Sequence, residues 1–106
     1  MDQVQSAVLE AVAEAAKATN DFLAKHGDRD ACGFAWVDIF GVRGNTKLGR
    51  ALKEAGVSKS HTGAFQIWNP SNMYVQNVDT LEAGAQAAAD VFKKYGFSAY
   101  AGSRLD

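Results

Sequence analysis

The sequence predicts an α+β domain in which helices cover a face of one antiparallel sheet, and three observations predict it. Apolar residues recur at helical spacing in three separated stretches. Short runs between them are rich in aromatic and β-branched residues, as strands are. The two periods follow one another as helix, strand, helix, strand, strand, helix, strand, an order that calls for one mixed domain rather than separate helical and sheet domains.

Val4, Val8, Val12, Ala15, Phe22 and Leu23, with Ala7, Ala11 and Ala16 beside them, make a stripe along a first helix. Lys25, His26 and Gly27 suit its end, since cations favour a last turn and glycine the residue beyond. A charged turn at Asp28 to Asp30 leads to a strand from Gly33 to Phe40, which Gly41 to Gly44 breaks. Asn45 is placed to cap a second helix that carries Leu48, Leu52 and Ala55 on one face and ends at Gly56. Ser58 to Gly63 reads as a polar loop, AFQIW (64–68) as a strand, Asn69-Pro70-Ser71-Asn72 as a turn, and Met73 to Val78 as the returning strand of a hairpin. Asp79 and Glu82 have capping-box spacing and open a third helix to Tyr95, with Leu81, Ala85, Ala88 and Phe92 inward. Phe97 to Ala101 is the last strand. This predicts a single domain over residues 1–106: an N-terminal helix (1–27) and a ferredoxin-like βαββαβ unit (31–106).

The chain has 106 residues, 47% hydrophobic and 22% charged, with one proline. That composition belongs to a folded globular protein and excludes a disordered tail. The lone Cys32 excludes an internal disulfide and, with no spaced histidine or cysteine partners, a zinc site; a reducing cytoplasm is the simplest setting. Asp2, Glu10 and Glu14 interrupt the apolar start, so neither a signal peptide nor a membrane span is expected. The net charge of −1 hides an asymmetry. Residues 1–30 hold six acidic and three basic side chains, whereas 43–61 hold Arg43, Lys47, Arg50, Lys53 and Lys59 against Glu54 alone.

CGFAWVDIF (32–40) carries the sharpest question. Alternation puts Phe34, Trp36 and Phe40 on one face with Asp38, and Ala35, Val37 and Ile39 on the other. GFAWV matches part of the RNA-recognition-motif signature, in which aromatics stack on bases, but Cys32 stands where a basic residue belongs, Ile39 where an aromatic belongs, and the strand is the first rather than the third. Packing favours a different use. Two helices of a βαββαβ unit take the aliphatic face, and the N-terminal helix has a stripe of its own to bury. We therefore expect that helix to cover Phe34, Trp36 and Phe40 on the second face of the sheet; an open stacking platform or cover by a second subunit are the alternatives.

Gly41-Val42-Arg43-Gly44 has the GXXG form of a backbone clamp but follows a strand, where a tight turn explains it. GNTKLGRA from Gly44 has P-loop glycine spacing, yet Arg50 replaces the lysine and Ala51 has no hydroxyl for magnesium. Arg43, Lys47 and Arg50 lie at helical spacing opposite Leu48 and Leu52. They form either a solvated helix surface or a site for phosphate oxygens beside free backbone N–H groups at a helix start, which Lys59, His61 and Arg104 join if folding brings them near. No nucleophile elbow, zinc motif or catalytic carboxylate pair is present, and no cofactor is implied, so the reading leans away from an enzyme. Ser103, Arg104 and Asp106 either tie down the C-terminus or reach toward a partner.

Taken together, CGFAWVDI, the turn NPSN, EAGAQAAADVF and the terminal AYAGSRLD resemble a family of small proteins encoded by tailed bacteriophages, over most of residues 31–106. The resemblance brings no assigned activity and no residue roles. It implies expression in a bacterial host cytoplasm and an accessory or host-interaction role. The expected function is a non-enzymatic binding module that recognises a phosphate-bearing ligand, nucleic acid or nucleotide, through Arg43, Lys47, Arg50 and Arg104. A protein-interaction module, as an inhibitor of a host or defence protein or as a homodimer, is the alternative.

Overall fold

The computed structural model of the chain describes residues 3–26, 33–59, 63–70 and 78–105. Its elements are α1 (Gln3–His26), β1 (Gly33–Phe40), α2 (Lys47–Glu54), β2 (Ser58–Lys59), β3 (Phe65–Trp68), α3 (Val78–Lys94) and β4 (Ser98–Leu105). The fold is α+β: three helices and one four-stranded antiparallel sheet in the order β2-β3-β1-β4. Cys32, His61, Asp106, the Asp28–Asp30 turn and most of the strand expected over 73–78 lie outside the described residues.

β1 follows its alternation. Ala35, Val37 and Ile39 are buried and point to the helices, as do their cross-strand partners Phe65, Ala99 and Ala101. α3 lies over them with Leu81, Ala85, Ala88 and Phe92 buried, and Phe92 meets Phe97 edge to face at 5.8 Å. Leu52 of α2 and Val57 complete one contiguous core.

A hairpin forms ahead of the one expected, whose return strand over 73–78 lies mostly outside the described residues. β2 lies within the stretch that reads as a loop, and the aromatic 65–68 segment is its returning strand, with Ser58 opposite Gln66 and Lys59 opposite Phe65. The reason is local. Gly56, at φ +94°, reverses the chain after α2, the Val57 amide closes on the Leu52 carbonyl at 3.0 Å, and burial of Val57 sets Ser58 and Lys59 beside β3. Val78, expected at a strand end, instead opens α3, so Asp79 lies in that helix's first turn.

The position expected for the N-terminal helix is corrected. α1 packs along α3, with a lesser contact to α2, on the helical side of the sheet. Its buried stripe is Val4, Ala7, Ala11, Ala15 and Thr19, which is made almost wholly of small residues. α3 presents Gly84, Ala88 and Ala89 among its own buried positions. Small residues on both partners let two helices approach closely, and close approach multiplies dispersion contacts. Such a flat stripe has no large side chains with which to fill the spaces between aromatic rings. A polar clasp adds direction: the Glu10 carboxylate accepts from the Lys94 ammonium and, at 3.1 Å, from the Tyr95 hydroxyl. The Lys94 bond holds Glu10 below its ordinary value, while the bonds to Glu10 push Lys94 and Tyr95 above theirs.

Candidate functional site: an open aromatic sheet face

With α1 engaged elsewhere, no described helix covers the second face of the sheet. Phe34 is 40% exposed, Phe40 46%, Trp68 48% and Tyr100 56%, an unusual share for side chains that each bury roughly 150–250 Å² when covered. Register explains the grouping. Trp36 on β1 stands opposite Trp68 on β3 and Gly102 on β4; Phe34 stands opposite Arg104, and Asp38 lies between Gln66 and Tyr100. Same-face residues on adjacent strands touch, so three strands build two clusters.

The first cluster contains the Trp36 and Trp68 rings stacked at 4.7 Å, with Phe34 edge-on to Trp68 at 6.3 Å. The Arg104 guanidinium lies 5.3 Å from the Phe34 ring centre and 6.0 Å from that of Trp68, a cation held on aromatic faces with its N–H edges available. Trp36 lies flat across β4 because position 102 is glycine. A Cβ there would fall 2.5 Å from the Trp36 indole nitrogen. The second cluster pairs Phe40 with Tyr100 at 5.9 Å, and the Lys93 ammonium sits 5.3 Å over the Tyr100 ring. Four residues of strand, roughly 13 Å, separate Trp36 from Phe40.

A hydrogen-bond chain fixes the indoles. Trp68 Nε1 donates to Gln66 Oε1 at 3.0 Å, Gln66 Nε2 donates to Asp38 Oδ1 at 2.7 Å, and Trp36 Nε1 donates to Asp38 Oδ2 at 3.0 Å. Both indole donors and both carboxylate oxygens of Asp38 are thereby engaged. The chain orients the two largest rings through their own polar atoms, with Trp68 the more exposed of the two.

The basic segment has a geometry of its own. Thr46, not Asn45, caps α2: its hydroxyl accepts from the Gly49 amide at 3.1 Å and donates to the Arg43 carbonyl at 2.6 Å. Gly49 is required, because a Cβ would collide with that same carbonyl. Arg43, Lys47 and Arg50 are all exposed around this first turn, and Arg50 Nε reaches the Thr46 carbonyl at 3.4 Å. Arg104 does not join them. It pairs with Phe34 near the start of β1, whereas Arg43 follows the far end of that strand, roughly 20 Å or more away. Lys59, which the sequence reading added to the site on condition of folding, converges instead with Lys53, which it left out. The Lys53 and Lys59 ammonium groups lie 3.1 and 3.3 Å from the point where a Gly44 Cβ would stand, and Lys53 donates to the Gly44 carbonyl at 3.4 Å. Their separation by Gly56 and a turn hides this meeting from any helical spacing rule.

The charge is sorted by layer. α1 and α3 together carry six acidic and four basic side chains, whereas residues 33–59 carry five basic and two acidic. A cleft between α1 and α2, of about 320 Å³, is lined by Gln5, Val8, Leu9 and Ala55, with no titratable group to do chemistry. Among the described residues no cluster of three potential metal ligands occurs, and no helix is long and apolar enough to cross a membrane. No protein-family model, curated protein or solved structure matches the chain, so its function is argued from this face and its surroundings.

Proposed function

We propose that the chain is a non-enzymatic binding module for single-stranded nucleic acid, whose bases stack on the aromatic sheet face while cations at its rim meet phosphates. The observation that carries the reading is the stack of exposed Trp68 on half-buried Trp36, with Arg104 over the Trp68 and Phe34 rings. Base–aromatic stacking contributes about 1–3 kcal/mol per base, and exposed aromatics on a sheet are a recurrent way to use it. Arg104 and Lys93 serve the two clusters. Arg43, Lys47 and Arg50, with Lys53 and Lys59 near Gly44, extend the positive surface beyond the Phe40 end of β1. The acidic excess on the α1–α3 layer is on the opposite side and steers an anionic strand toward the sheet.

The ferredoxin-like assignment belongs to this proposal. It is supported by the order β2-β3-β1-β4 with antiparallel neighbours throughout, and by helices α2 and α3 each connecting strands that have one strand between them. The kinship to small tailed-phage proteins, with an accessory role in a bacterial cytoplasm, is proposed from CGFAWVDI, NPSN, EAGAQAAADVF and AYAGSRLD.

The test is tryptophan quenching and fluorescence polarisation with short single-stranded DNA and RNA at low salt. Trp68→Ala should weaken binding by about 1–3 kcal/mol, roughly 5- to 150-fold. Arg43→Ala with Arg50→Ala should make the salt slope shallower, by about 0.7 for each phosphate that is no longer neutralised. Undetectable binding at low salt overturns the reading. A second reading, protein association, is favoured by one observation: β4 is an eight-residue edge strand beside this apolar face, and among the described residues no strand pairs with its outer side. A concentration-independent monomer in sedimentation removes its homodimer form, and a host-protein form requires capture that Trp68→Ala abolishes.

A further inference from the structure

The hydrogen-bond chain across the aromatic face has a meaning for what the face can distinguish. A protein reads base identity with donors and acceptors held at fixed positions against base edges. The polar groups at the centre of this face are already committed to one another. Trp68 donates to Gln66, Gln66 to Asp38, and Trp36 to the other oxygen of Asp38. What remains for a ligand is chiefly ring surface, together with the two cations Arg104 and Lys93, which lie on rings themselves. Every base has a π face, so ring surface does not discriminate among bases.

We infer that the aromatic face holds single strands without regard to base sequence, with Asp38 and Gln66 as positioning residues that orient the indoles and withdraw their N–H donors from the ligand. The inference rests on the nucleic-acid reading of the face and deepens it. The same arrangement bears on the salt dependence. Arg104 and Lys93 add about two phosphate contacts, hence about −1.4 to the slope of log K against log salt at about −0.7 per contact, while the basic segment around Arg43 and Arg50 supplies the rest.

The deciding experiment measures Kd for the full-length protein with labelled oligo-dT, oligo-dC, oligo-dA and a mixed single strand of equal length, across a series of salt concentrations. The expected result is a set of Kd values within about tenfold of one another at every salt concentration. A preference above about 30-fold for one base overturns the inference while leaving nucleic-acid binding intact. Absence of binding to every strand overturns the underlying reading, and this one with it. Asp38→Asn separates positioning from mere folding. Asparagine offers one acceptor where aspartate offers two, so one donor of the chain is released toward the ligand. The spread of Kd values among the three homopolymers should then widen at least about threefold, with the melting temperature retained. An unchanged spread removes the assigned role of Asp38. In the wild type the Nε1–H resonances of Trp36 and Trp68 should be protected from solvent exchange, and rapid exchange of both overturns the inference.

Discussion

The two faces of the sheet are built from different side chains, and most of the aromatic ones are on the wet side. Toward the helices stand Ala35, Val37, Ile39, Phe65, Ala99 and Ala101, nearly all fully buried; away from them stand Phe34, Trp36, Phe40, Trp68 and Tyr100, most of them substantially exposed. Fully burying one such residue stabilises a fold by roughly 1.5–3 kcal/mol, so hydrophobicity alone would have put the aromatics inside. The comparison teaches that burial followed fit. α1 and α3 meet through alanine and glycine, which suits close helix packing, and with α1 committed to that contact no helix among the described residues covers the rings. The exposed face is then organised by hydrogen bonds and ring contacts instead of by a covering layer.

The comparison can be broken most strongly at the core. Phe92→Ala, at a fully buried position, should cost about 3–5 kcal/mol in chemical denaturation. If the loss is near that of an exposed aromatic, the division into covered and open faces is wrong. Ala11→Leu tests the α1–α3 contact: overpacking there should cost about 1–3 kcal/mol, with the melting temperature falling by about 4–8 °C per kcal/mol. A neutral result would place α1 elsewhere. Gly102→Ala acts on the open face alone. The added methyl must displace the Trp36 ring, at about 0.5–1.5 kcal/mol of rotamer strain, and in a Trp68→Phe background the emission should shift red with easier acrylamide quenching.

The smallest effect is on the clasp between α1 and α3. Glu10 titrates below its ordinary value, so its bond to Lys94 contributes stability above about pH 4.3, the unfolded glutamate range, and loses it as pH falls through the lowered folded value. Glu10→Gln should therefore melt slightly below wild type at neutral pH and match it in acid, with high salt shrinking the gap. Tyr95 titrates above its ordinary value, so its contribution is complete below about pH 10 and disappears as pH rises through the raised one.

Much of the fold could be read before the structure. Alternation in β1 correctly gave Ala35, Val37 and Ile39 as the buried set, because a strand's period is local and any helix-covered sheet enforces it. The extents of α1, α2 and α3 were close, because glycine, cap and stripe signals act within one turn. β2 was missed because no local signal marks it: Ser58 and Lys59 have no strand composition, and they pair with β3 next to the buried Val57. For the site, Lys47 and Arg50 were visible as spacing on α2, whereas Arg43, expected at the same helical spacing, precedes the Thr46 cap. The approach of Lys53 and Lys59 to Gly44, and of Arg104 to Phe34 and Trp68, needed a folded chain.

The sequence by itself determined the elements, the inward aliphatic face and the presence of an aromatic face, all of which depend on contacts between near neighbours. Only the tertiary structure decided whether that aromatic face was seam or surface. A helix's stripe says that it must be buried but does not name its partner, and here small residues on two helices chose each other. Residues 33–40 thus carry Phe34 and Phe40 exposed on one side, with Trp36 laid over a glycine sixty-six residues later in the chain.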